Sequence, residues 1–176
     1  MLIAFCAVCL STQLMAQNDL YRTDNGNMII NAVLNDSALV VRTKELIVIL
    51  DYESAEFTVV LNRSKLYSGV DSIDQNLRQM SFDPIELKGQ LDLDYINTKG
   101  HPPLDFKVEG RMSTNNEQIL GSGHLEHLME GTSYACLLSM IFHIELKTLG
   151  LDLNVAGLTE EVHIEILQTV LRKETD

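Results

Sequence analysis

From residue 85 to residue 95 the sequence alternates in twos. Ile85, Leu87, Leu91, Leu93 and Tyr95 fall on one side, Glu86, Lys88, Gln90, Asp92 and Asp94 on the other, and Gly89 sits among the apolar set. Successive side chains of a strand point to opposite faces, whereas a helix turns about 100° per residue. A period of two is therefore a strand with one face toward a core and one toward water. The same period recurs in Phe57, Val59 and Leu61, in Leu104, Phe106 and Val108, in Phe142, Ile144 and Leu146, and in Val162, Ile164 and Ile166. Residues 45–52, ELIVILDY, are continuously apolar at their centre, and β-branched residues favour a buried strand there. Residues 28–34 and 38–43 form two further apolar segments around the turn triplet Asn35-Asp36-Ser37. Residues 118–128 are weaker because Gly121 and Gly123 interrupt them.

Helical spacing occurs once. Ile73, Leu77 and Met80 repeat at three and four residues, and Ser72 with Gln75 has the form of a capping box, which predicts one short helix over 72–80. Residues 104–108 predict a hairpin with 85–95 across the Pro102-Pro103 loop. Many strands, short turns and one helix imply a closed antiparallel sheet, since an open one leaves unpaired edges. At 176 residues the chain is long enough for one domain with a real core.

Charge removes several function classes. There are 25 acidic against 13 basic side chains, a formal charge of −12. Phosphate recognition needs clustered Lys and Arg, so nucleic acid is not expected as a partner, and neither is an anionic membrane surface. With no Trp and 6% aromatics, stacking platforms are not expected either.

Residues 1–16, MLIAFCAVCLSTQLMA, carry no charge, are too short for a comfortable transmembrane helix, and end in a small residue. They read as a secretory signal peptide cleaved after Ala16, which implies a periplasmic or secreted protein with no stable membrane insertion afterwards. Residues 17–27 then read as an extended lead-in and 28–172 as the domain. Cys6 and Cys9 fall within the signal, so only Cys136 survives, without an internal disulfide. Its apolar neighbourhood makes it a buried, inert thiol.

A family resemblance rests on Gly69, Asp74, Leu77, Phe82 and Asp83 around the short helix, on Gly123-x-Leu125 with a Gly131-Thr132 turn, and on the strand-like runs 140–151 and 158–166. In this order they resemble the YceI-like family. Asn76 stands where the family pattern has His, and Asp83-Pro84 where it has Tyr-Pro. The resemblance implies a mainly β, antiparallel lipocalin-like β-barrel with one short helix, holding a long apolar, lipid-like small molecule such as an isoprenoid or quinone. It implies a carrier rather than an enzyme.

No Gly-x-Ser-x-Gly, phosphate-binding loop, dinucleotide fingerprint or His-Glu-x-x-His is present, so no catalytic residues and no cofactor are assigned. His124 and His127, three apart on a strand, point to opposite faces and cannot share an ion. His143-x-Glu145 and His163-x-Glu165 could cluster if their strands are neighbours, but a solvated outer face accounts for them, and no metal is assigned. Asp74 reads as a residue near the helix N-terminus held by the macrodipole, and Leu77 as a plug at the barrel end. The candidate ligand-binding set is Phe57, Leu61, Leu77, Leu87, Leu91, Leu93, Phe106, Val108, Phe142 and Ile144. An eight-stranded barrel is just wide enough to be filled by such side chains or to hold one slender ligand. The alternative function is therefore a filled-core structural or protein-interaction module of the cell envelope.

Overall fold

The alternating segments are strands of a closed barrel. The computed structural model describes residues 19–80, 83–97, 101–130 and 133–174. The strands are β1 (Leu20–Leu34), β2 (Ser37–Asp51), β3 (Glu56–Leu61), β4 (Ile85–Leu91), β5 (Leu104–Met112), β6 (Gln118–Glu130), β7 (Ser133–Glu145) and β8 (Glu161–Lys173). Each pairs antiparallel with the next, and β8 returns to β1, with Ile30 opposite Ile164. The expected mainly β, antiparallel, lipocalin-like barrel with one short helix is the observed fold.

Where strands are longer than the sequence pattern predicts, bulges explain it. Residues 20–27 are not a free lead-in; they pair with both β2 and β8, and register shifts around Gly26 break their alternation. Segments 38–43 and 45–52 are one strand, β2, joined to β1 by a two-residue turn. Asn35 and Asp36 both have positive φ, 48° and 63°, which these two residue types tolerate. β8 runs beyond Ile166 to Lys173. Gln168, at φ 34°, shifts the phase so that Ile166, Thr169 and Leu171 all lie buried.

Helix α1 (Asp71–Gln79) follows a 3₁₀ turn at Arg63–Lys65. The Ser72–Gln75 capping box does not form, because the cap position is Val70, two residues earlier. Instead, Asp74 reaches back out of the helix: its Oδ1 accepts from the Ser68 backbone N–H and Ser68 Oγ, each at 2.7 Å, and its Oδ2 from the Gly69 N–H at 3.2 Å. That carboxylate fixes the chain's entry into α1. Burial raises its pKa, but the hydrogen bonds from Ser68 and Gly69 and the nearby Arg78 outweigh burial and hold it below the ordinary carboxylate range.

The apolar faces point inward. Outward positions on β4 and β5 include Glu86, Lys88, Gln90, Lys107, Glu109 and Arg111, the reverse of a barrel whose outer face meets lipid. Among the described residues no helix is long and apolar enough to cross a membrane. Residues 1–16, Phe82, Gly100 and the Gly131-Thr132 turn lie outside the described residues.

Candidate ligand-binding interior

The two ends of the barrel differ in chemistry. At one end the chain after β7 forms a 3₁₀ turn, Leu146–Leu149, and an irregular segment that closes over the barrel together with α1. Side-chain hydrogen bonds hold this cap together and to the rim, beside a backbone bond from the Asn35 N–H to Gly157 O at 2.9 Å. Arg63 donates to Gly150 O (3.0 Å), Asn76 Nδ2 to Leu153 O (3.1 Å), Thr114 Oγ1 to Thr148 O (2.8 Å), and Thr148 Oγ1 to Glu117 (2.9 Å). Asn76, the residue standing in place of the family's His, is thus a tie between α1 and the closing segment.

Beneath this cap lies an apolar cavity of about 40 Å³. Its wall includes four of the expected residues: Leu61, Leu87, Phe142 and Ile144. The rest comes from residues outside the candidate set, namely Met28, Val59, Ile85, Met112, Ile119, Leu149, Ile164 and Ile166. Val59, Ile85, Ile164 and Ile166 carry the same period-2 signal as their expected neighbours. Leu149 comes from the 3₁₀ turn after β7, where no strand periodicity could mark it.

The other expected residues are placed elsewhere. Phe57, Leu91, Phe106 and Val108 are buried in the core but outside the cavity wall. Leu77 is fully buried in α1 within the same core, so it serves the cap rather than the cavity. Leu93 falls beyond the end of β4 and is only partly buried, and Tyr95 is 66% exposed. The alternation of 85–95 outlasts the strand because β4 stops at Leu91, and Asp92 turns to accept the Lys107 N–H at 2.6 Å.

At the opposite end the interior carries a small polar cluster. Tyr52, fully buried, stacks on Tyr21 with ring centroids 4.1 Å apart and hydrogen-bonds Cys136 Sγ. Its hydroxyl also lies 3.4 Å from His127 Nε2. The His101 backbone N–H donates to His127 Nδ1 at 3.3 Å, so the neutral ring carries its proton on Nε2. His127 then donates to Tyr52, which is hydrogen-bonded to Cys136. Burial and, secondarily, His101 push the His127 pKa down. Burial pushes the Cys136 thiol up to about 11 and Tyr21 up to about 12, and raises Tyr52 strongly, with Cys136 adding to the shift. Tyr21, Tyr52, Cys136 and His127 are thus each shifted toward their uncharged forms.

His124 faces the other way, as its strand parity requires, and bonds Asp105 (2.7 Å) and Glu126 (3.1 Å) on the outer surface. Those two hydrogen bonds raise its pKa. β7 and β8 are neighbours, so His143 and His163 do meet. Among the described residues, no group of three or more His, Cys, Asp or Glu is placed to hold a metal ion.

Comparison with solved structures places this barrel among known folds. A polyisoprenoid binding domain from Saccharophagus degradans, implicated in plant cell wall breakdown, superposes with a TM-score of 0.65 at 6% identity, covering 90% of this chain and 99% of that one. BcnA of Burkholderia cenocepacia superposes with a TM-score of 0.56 at 7% identity, covering 83% and 94%. No family model matches the sequence, and no curated protein matches it. At such identities the likeness is one of fold, and at that level the resemblance to the YceI-like family is borne out.

Proposed function

We propose that this protein is a non-enzymatic binding protein that carries or sequesters a long apolar molecule, an isoprenoid, quinone or other lipid, inside the barrel. The observation that carries the reading is the cavity wall: all twelve of its side chains are apolar. Affinity in such a site comes from buried hydrocarbon, at about 25 cal/mol per Å². The superposed Saccharophagus degradans domain, described as polyisoprenoid binding, supports the same class of ligand. A chain with a neutral or weakly polar head fits best, because Tyr52, Cys136 and His127 at the far end are shifted toward their uncharged forms and the protein's net charge of −12 opposes an anionic head.

Ordinary ligand pockets span roughly 300–1,000 Å³, so on the carrier reading the cavity of about 40 Å³ is that of a closed, unloaded barrel. Loading requires the barrel to widen. Met28 and Met112 in the wall are unbranched and adaptable, and the cap over the cavity is an irregular segment rather than a strand of the closed sheet, so on this reading the capped end is the point of entry. The candidate nucleophile does not support enzymatic turnover: Cys136 is buried, with its thiol pushed up to about 11.

The cavity's small volume favours a second reading, a filled-core structural or interaction module of the cell envelope. Native mass spectrometry after gentle purification separates the two. A co-purified lipid-sized mass, displaced when Val59→Phe fills the cavity, supports the carrier; a bare chain mass after incubation with isoprenoid and quinone micelles establishes the filled core. Export is part of the proposal and rests on residues 1–16. Recovery of the uncleaved chain from the cytoplasm would remove it.

A further inference from the structure

We propose that His143 and His163 form a two-imidazole binding site for a divalent transition-metal ion, with Cu²⁺ the best fit, on the outer face of the barrel and separate from the apolar interior. The two residues are direct cross-strand partners on β7 and β8. Their rings lie with centroids 4.5 Å apart, and His163 Nδ1 is 2.8 Å from His143 Nε2. Imidazole nitrogen binds such ions at about 2.0 Å, so two nitrogens in adjacent positions of a square arrangement stand about 2.8 Å apart. The observed separation already has that value. An ion requires the rings to tilt toward a common point, not the strands to separate.

The surroundings orient one of the rings. His163 Nε2 lies 3.2 Å from Glu165 Oε1, and that carboxylate oxygen in turn accepts from Asn31 Nδ2 at 2.9 Å. With its proton held on Nε2 by Glu165, His163 presents the Nδ1 lone pair toward His143. This is the carboxylate–histidine arrangement that fixes metal-ligating imidazoles. In the empty site, His143 donates its Nε2 proton to that lone pair. Metal binding moves this proton to Nδ1 of the same ring by way of solvent, which frees Nε2 for the ion.

The next rung of the same face pairs Glu145 with Glu161, and Glu165 lies one rung to the other side. Glu145 is ion-paired with Lys147 at 2.5 Å, so Glu161 and Glu165 are the carboxylates whose charge favours a cation beside the two rings. Two protein ligands leave coordination positions to water, consistent with the absence of any three-ligand group among the described residues. The alternating His-x-Glu pattern of both strands shows in the sequence; that they face each other in register does not.

The test is titration of the full chain with CuCl₂ in an amine-free buffer, followed by calorimetry and electron paramagnetic resonance. One equivalent should bind with a two-nitrogen signature and raise the melting temperature, and ZnCl₂ should bind more weakly. His143→Ala and His163→Ala should each weaken Cu²⁺ at least about tenfold, and Glu165→Gln about tenfold, while His124→Ala leaves the affinity unchanged. These positions face outward, and far-ultraviolet circular dichroism confirms that each variant is folded. Unchanged Cu²⁺ affinity in the double His143→Ala/His163→Ala variant, or loss of the signal with His124→Ala, overturns the site.

Discussion

The ring of Phe106 in β5 occupies the space that a β-carbon on Gly123 of β6 would need. The two residues are cross-strand partners, and the Phe142 ring of β7 covers Gly121 from the other side in the same way. The two glycines that interrupt the pattern of β6 are thus seats for aromatic side chains, and the core closes over them.

Gly123→Ala should destabilise the barrel by about 1–3 kcal/mol, the usual cost of forcing extra volume into a packed core. The added carbon meets both the Phe106 ring and the Ser139 carbonyl, so moving the ring alone does not relieve it. A Gly123→Ala/Phe106→Leu double variant should recover part of the loss in urea unfolding. Full additivity of the two losses would show that the ring and the glycine are not coupled.

Asp74→Asn should cost about 1–3 kcal/mol at pH 7, because an ionised acceptor with three hydrogen bonds from Ser68 and Gly69 is replaced by an amide. The folded pKa lies below the unfolded value of about 4, so the carboxylate's contribution is present above that value and is lost as pH falls through the folded one. The gap between wild type and variant should therefore narrow below about pH 4 in chemical denaturation. A gap that stays constant down to pH 2 would contradict the assignment.

Asn76→Ala removes the bond from α1 to Leu153 O, a loss of about 1 kcal/mol. Its effect should be local. Hydrogen exchange should quicken over residues 146–158 and not in β1 or β8, and, on the carrier reading, a lipid probe should load faster.

Cys136 should resist iodoacetamide in the native state at pH 8, since it is buried and its thiol is shifted upward by burial. Tyr52→Phe deletes its hydroxyl partner, and labelling should remain slow, because burial sets the protection. Rapid native-state labelling of the wild type would mean that this end of the barrel opens on the timescale of the assay.

Strands with a clean period of two were legible in the sequence. β3 and β5 show their inward residues directly, and helix α1 is within one residue of its predicted bounds at each end. Bulges hid the rest: the phase change at Gln168 concealed the second half of β8, and the shifts around Gly26 made the start of β1 resemble a polar tail. Within the candidate site, only Leu61, Leu87, Phe142 and Ile144 reach the cavity wall. Alternation tells which face of the sheet a residue joins but not how far along the barrel axis it lies. Leu149, in the 3₁₀ turn after β7, and the Tyr52–Cys136–His127 cluster, which joins the end of β2 to a cross-strand pair of the β6–β7 hairpin, had no local pattern to announce them.

The pairing of β1 with β8 has a consequence for how the chain comes into being. β1 obtains its second partner only when Glu161–Lys173 exists, at the far end of the sequence. During synthesis the sheet can grow from β1 toward β7, but it keeps two unpaired edges until the last strand arrives. Closure is thus a late, long-range step, of the kind that puts β-barrels among the slower folders, on timescales of milliseconds to seconds. A nascent chain stopped short of β8 has no closed state to reach, and its open edges are the surface that a chaperone, or another copy of the chain, would meet first.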